Sequence, residues 1–181
     1  MKKIITLVLL GFVGTAATAQ KVTTKTGHAH FLSKTSIENI EANNYKVIST
    51  LNPIDGVMVF SVPMQSFEFP NATMQKHYNS KKFLDTKQFP KATFKGKIGN
   101  LSAIDFTKDG TYNVTVPGTM TMHGVSKEIT GKGTITIKGG KISATSTFDL
   151  TLADYNILFE KGKPSSNIAK KIKIDVTVKY N

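Results

Sequence analysis

From residue 22 to residue 180 one pattern recurs: an apolar residue, then a polar one, then an apolar one. In KKIKIDVTVKY, residues 170–180, Ile172, Ile174, Val176, Val178 and Tyr180 fall on one face. Lys171, Lys173, Asp175, Thr177 and Lys179 fall on the other. A period of two is that of a β-strand with one buried and one wet face. The same pattern groups Ile142, Ala144, Ser146, Phe148, Leu150 and Leu152, and before them Ile129, Gly131, Gly133, Ile135 and Ile137. It also groups Tyr112, Val114, Val116, Gly118, Met120 and Met122, and, in a shorter run, Ala92, Phe94, Gly96 and Ile98. YKVISTL and VMVFSVPMQSFEF add two strands joined by the turn signal NPIDG, and a first strand is expected from about Val22 to Leu32. Eight strands, several far longer than the usual ~5–6 residues, predict an all-β, antiparallel up-and-down barrel rather than a sandwich.

One helical insert is expected between strands three and four. In NATMQKHYNSKKFLDTKQFP, Asn71 or Thr73 caps a short helix with Met74 and Tyr78 on one side, Ser80 caps a second turn, and Pro90 ends the segment. In an up-and-down barrel all odd-numbered connections lie at one end. These are the first (about Ser33 to Asn43), the insert, the His123-Gly124 turn and the last (about Ala153 to Ser166). Three long connections are therefore expected at one mouth, together with His77 and His123. The lysines decide which face is inside. Turned inward, Lys95, Lys97, Lys132, Lys138, Lys171 and Lys173 would crowd like charges into a narrow bore, which also argues against a membrane barrel.

The first 19 residues read as a cleaved export signal: Lys2 and Lys3, an apolar run from Ile4 to Val13, and Ala17 and Ala19 at signal-peptidase spacing. The expected mature chain, residues 20–181, forms a single domain in the periplasm or outside the cell. The apolar run is too short to span a bilayer. With no cysteine, disulfides play no part. The formal charge of +12 falls to +10 without Lys2 and Lys3. Because every basic residue is lysine, the forked recognition of phosphate or guanine that arginine supplies is missing, and no nucleic acid is expected as a partner. A weak attraction to anionic membrane surfaces is what such a charge implies.

The inward set combines large residues with small ones. Phe94, Val116, Met120, Met122, Ile135, Phe148, Leu150 and Ile174 are the expected lining; Gly96, Gly118, Gly131, Gly133, Ala144 and Ser146 stand among them. Small residues at so many inward positions mean either a hollow bore that takes a long apolar guest or glycines that relieve curvature in a filled barrel. His123 reads either as a hairpin-corner histidine or as a polar contact at the mouth. His28 and His30 share one face of a strand, but no third ligand follows at metal-site spacing, and no metal is expected. No acid stands at a spacing that would orient a histidine for catalysis, so no catalytic residue is assigned.

MQKHYNSKKFLDTKQFPKATFKGKI, VPGTMTMHGVSKEIT and FDLTLADYNI, in this order, resemble the three signatures of the YceI-like family. The resemblance covers nearly the whole expected mature chain. It implies an exported, lipocalin-like eight-stranded barrel that holds a polyisoprenoid chain, of quinone or prenyl type, along its bore; from the residues themselves neither a cofactor nor enzymatic activity is expected. Members often carry Arg where this chain has Gln75 and Lys76, which implies a neutral head group here. Asn156 stands where the family has Gly, a position at which Asn tolerates positive φ. His77, Tyr78, Phe83, Leu84, His123 and Tyr155 are the expected portal. The alternative is a filled-barrel interaction module whose lysines meet anionic envelope polymers or lipid. The oligomeric state is not fixed by these residues.

Overall fold

A computed structural model describes residues 20–157 and 167–180 of the chain. The expected signal peptide, residues 1–19, and residues 158–166 of the last connection lie outside the described residues. The strands are β1 (Val22–Lys34), β2 (Asn39–Leu51), β3 (Val57–Pro63), β4 (Lys91–Lys97), β5 (Gly110–Met122), β6 (Val125–Lys138), β7 (Lys141–Thr151) and β8 (Lys171–Lys179). Each is antiparallel to its neighbour in sequence, and β8 pairs back onto β1, so the sheet closes as an up-and-down barrel. Helix α1 (Ala72–Asn79) lies in the connection between β3 and β4.

Alternation sets the faces. Along β5, Val114, Val116 and Met122 are buried while Thr111, Asn113, Thr115 and Pro117 are exposed. Lys95, Lys97, Lys132, Lys138, Lys171 and Lys173 all stand exposed on the outer surface. A lipid-facing barrel needs an apolar outer band in their place. Among the described residues no helix is long and apolar enough to cross a membrane.

The first connection is not the expected long loop. β1 and β2 run further, and residues 35–38 alone turn the chain, with Thr35 N donating to the Glu38 carbonyl at 3.0 Å and Glu38 N to Thr35 Oγ1 at 3.0 Å. Polar residues on the inner face hide these strand ends. Ser33 is buried because its hydroxyl accepts from Ala169 N at 2.9 Å, and Asn44 because its amide donates to the Pro63 carbonyl at 2.8 Å. Once hydrogen-bonded, a polar side chain sits inside without the desolvation penalty, and the apolar rhythm breaks while the strand continues.

β3 ends earlier than the run VMVFSVPMQSFEF suggests. After Pro63 a single 3₁₀ turn, Met64–Ser66, folds the chain inward. Glu68 then bridges back to Asn43 of β2, which turns Phe67 and Phe69 toward the axis. Asn71 caps α1, its side chain accepting from Thr73 N at 2.8 Å and Met74 N at 3.3 Å. Ser80, expected to cap a second turn, closes α1: its N–H and hydroxyl both donate to the His77 carbonyl.

Candidate functional site: the barrel interior

The bore is closed at one end and hollow toward the other. At the end formed by NPIDG and KGG, Leu51, Ile98, Ile137 and Tyr180 are buried, and Tyr180 Oη meets Ser49 Oγ at 2.8 Å. These side chains form a solid floor below the cavity. Burial pushes the Tyr180 phenol up to about 12, partly offset by the bond to Ser49.

Above that floor is a cavity of about 1150 Å³. This exceeds the ~300–1,000 Å³ of ordinary small-molecule pockets. Phe94, Val116, Met120, Met122, Ile135, Phe148, Leu150 and Ile174 all line it, drawn from β4 through β8. The glycines of the inner face divide by what surrounds them. A Cβ on Gly118 would lie 2.4 Å from the Lys95 carbonyl oxygen, and one on Gly96 2.7 Å from that of Pro117. These two, directly paired across β4 and β5, let backbones approach and hold no free space. Gly131 differs, since a Cβ there meets nothing closer than 3.6 Å. Part of the hollow is therefore room that a side chain at Gly131 would occupy.

The elaborated end is roofed by rings. Tyr78, the one buried residue of α1, stands among Phe31, Phe67, Phe69 and Phe83 with ring centroids 4.9–6.4 Å away. Leu84 and Tyr155 are buried beside the cavity, Phe83 is half-buried, and the exposed His77 reaches its rim. Among the described residues the Tyr78 hydroxyl is the only buried side-chain polar atom without a hydrogen-bond partner. Burial holds its pKa well above the ordinary value.

His123 does not join the cavity wall. It adopts φ 49° ahead of Gly124 at φ 75°, the two positive values of a type I′ hairpin turn. Its Nδ1 lies 3.1 Å from the Tyr155 carbonyl oxygen, which can only accept, so Nδ1 carries the proton. Its ring packs edge-on against Phe89 at 4.5 Å. Asn156 takes a left-handed φ of 55° just beyond. His28 and His30 point outward from β1. His28 bonds Asn43 at 2.8 Å and stacks on Tyr45, while His30 sits between Glu41 at 3.3 Å and Asp175 at 3.5 Å. Among the described residues no group of three His, Cys, Asp or Glu side chains is disposed to hold a metal ion.

Sequence reasoning passed over Phe31, Phe67 and Phe69, which build the roof around Tyr78. Phe67 and Phe69 owe their position to the Asn43–Glu68 bridge, a contact across some 25 residues that no local pattern announces.

A family model described as YceI-like domain matches residues 12–180. A UPF0312 protein of Enterobacter sp. (strain 638) is 25% identical over 130 residues, covering 68% of this chain and 64% of its own. The chain spans 60–64% of the length of the first curated relatives it matches. A polyisoprenoid binding domain from Saccharophagus degradans superposes with a TM-score of 0.74 at 14% identity, covering 89% of this chain and 97% of that one. Burkholderia cenocepacia BcnA superposes with a TM-score of 0.70 at 19% identity, covering 86% and 96%.

Proposed function

The chain belongs to the YceI-like family, and from that premise we propose that it is an exported, non-enzymatic binding protein that holds a long apolar, polyisoprenoid-type molecule inside its barrel. The observation that carries this reading is the cavity of about 1150 Å³, walled by Phe, Met, Val, Leu and Ile side chains above a solid floor. An empty cavity of that size forfeits the dispersion contacts of its lining, and an apolar chain restores them while removing its own surface from water at ~25 cal/mol per Å². Met120 and Met122 supply the adaptable wall that a flexible chain needs.

Similarity to a structure that is itself a polyisoprenoid binding domain supports the ligand class. The Tyr78 hydroxyl supports a ligand with a polar end. Buried and without a partner, it offers one donor to an uncharged oxygen at the end of the chain. His77, Phe83, Leu84 and Tyr155 would complete the cap over that end. Export rests on the N-terminal pattern of Lys2, Lys3, the apolar run and Ala17–Ala19.

The test is direct. Purified protein is incubated with total bacterial lipid extract, re-isolated, extracted with organic solvent and read by mass spectrometry. One isoprenoid lipid per barrel is the expected result; a protein that emerges empty overturns the reading.

A further inference from the structure

The barrel is closed, yet its ladders are not all complete. β6 pairs with β5 along nearly its whole length, Gly110↔Ile137 through Met122↔Val125. Its other edge pairs with β7 only from Thr134↔Thr145 to Lys138↔Lys141. From there toward the roofed end, residues 125–133 of β6 and 146–151 of β7 have no ladder between them, although both remain strands bonded to their outer neighbours. The two strands diverge like a fork.

Gly133 stands at the crotch. A Cβ there would lie 2.2 Å from the Thr145 carbonyl oxygen, so the β7 backbone turns into the space where a side chain would be. Ser146 Oγ then donates to the Lys132 carbonyl at 2.6 Å, a side-chain bond in the place of the next ladder bond. Two contacts tie the far end. Lys127 Nζ donates to Asp154 Oδ1 at 2.8 Å, and His123 Nδ1 donates to the Tyr155 carbonyl at 3.1 Å.

The cavity reaches outward through this fork. Its lining includes Thr130 and Lys132 of β6 and Asp149 and Thr151 of β7, residues that by alternation point away from the axis. A shallow depression of the outer surface lies against the crotch and shares Lys132, Gly133 and Ser146 with the main cavity. Leu51, Ile98, Ile137 and Tyr180 close one end of the barrel. At the other, the rings around buried Tyr78 with Leu84 and Tyr155 narrow the bore, and exposed Asn71, Thr73 and His77 line the cavity beside them.

We propose that the fork between β6 and β7 is a lateral portal through which a long apolar ligand passes edge-on into the barrel, and that the Lys127–Asp154 and His123–Tyr155 contacts are the clasps that hold it shut. The proposal rests on the apolar-ligand reading above. Among the described residues β6 and β7 make no ladder bond along the fork, and the Ser146–Lys132 side-chain bond stands only at its crotch. Lys127 and Asp154 are both partly solvent-exposed, which keeps their pair weak and its opening easy. The clasps join elements on either side of the gap, the β5–β6 turn and the start of β6 to the segment after β7, so releasing them widens it.

The absence of cysteine makes the test clean. T130C and D149C stand on opposite lips of the fork, and a short bis-maleimide staples them in the folded protein. T111C and T136C, adjacent in the continuous β5–β6 ladder, receive the same staple as a control. Uptake and release of dansyl-labelled geranylgeraniol are followed by fluorescence before and after stapling. The fork staple is expected to slow both on the order of tenfold or more, with the control staple neutral. Equal rates with the fork stapled overturn the portal. If the unstapled protein takes up no probe, the ligand reading fails, and the portal with it. A second variant leaves the lips untouched: H123A/K127A, lacking both clasps, is expected to release the probe faster, and an unchanged rate removes the clasps from the proposal.

Discussion

Four residues test how single side chains set the properties of the bore. The Tyr78 hydroxyl is buried and unsatisfied, a state that costs about 1–3 kcal/mol. Y78F is therefore expected to raise the melting temperature of the empty protein while weakening its hold on geranylgeraniol about fivefold, one buried hydrogen bond. Affinity for squalene, which carries no oxygen, should stay unchanged. Parallel loss for both ligands in titration calorimetry would show that the hydroxyl meets no ligand atom. Gly131 and Gly118 give a second contrast. G131L should fill open space, leave stability near wild type and reduce ligand uptake, whereas G118A drives a methyl into the Lys95 backbone and should lower the melting temperature. Tyr180 supplies a pH dependence. Its folded pKa of about 12 lies above the ordinary 10.0, so the neutral phenol is the form the folded state favours. That contribution is fully present below pH 10 and disappears as the pH rises toward 12, about 2–3 kcal/mol in all. Alkaline melts of Y180F should lack this component of the decline, at the expense of Ser49, which loses its partner at every pH.

At the scale of elements, the barrel is built from unequal seams. The β5–β6 ladder runs unbroken from the floor to the His123 turn, while β4 pairs with β5 over four residue pairs and β6 with β7 over five. Hydrogen exchange should read this directly. In residues 125–133 the amides that point toward β5 are expected to be protected, and those that point into the fork to exchange far faster. Uniform protection along β6 would mean that the fork is bridged in solution. The β1–β2 hairpin illustrates why seam lengths evade a reading of the chain. Ser33 and Asn44 look like loop residues because they are polar, yet each is buried in a strand by a hydrogen bond to a distant backbone group. The helical insert was easier to read, since Asn71, the eight helical residues and Ser80 form a local unit whose capping depends on neighbours in sequence.

For the molecule as a whole, ligand binding is folding stability. A ligand that fits only the closed barrel adds RT ln(1 + [L]/Kd), about 2.7 kcal/mol at a hundredfold excess over Kd. For a chain of this length that corresponds to a rise of roughly 5–10 °C in melting temperature. Differential scanning fluorimetry across a series of prenols of increasing length should find the rise growing until the chain outgrows the cavity of about 1150 Å³. No rise at any length would count against an internal site. The lysines enter at this scale too. Spread singly or in pairs over the outer face, they keep that face wet and turn the oily sides of the strands toward one axis.

What the chain determined alone was everything that repeats within a strand. Alternation of apolar and polar residues decided strand identity, strand number and which face points inward, and with it all eight lining residues, because side chains of a strand take opposite sides whatever its neighbours do. The tertiary structure decided what depends on two distant segments meeting: how far each ladder extends, that the rings of Phe31, Phe67, Phe69 and Tyr78 gather at one end, and that His123 faces the Tyr155 carbonyl instead of the cavity. Backbone hydrogen bonds between strands carry no signature in the side chains that flank them. Whether two adjacent strands stay paired or part into a fork is therefore settled only when the barrel closes.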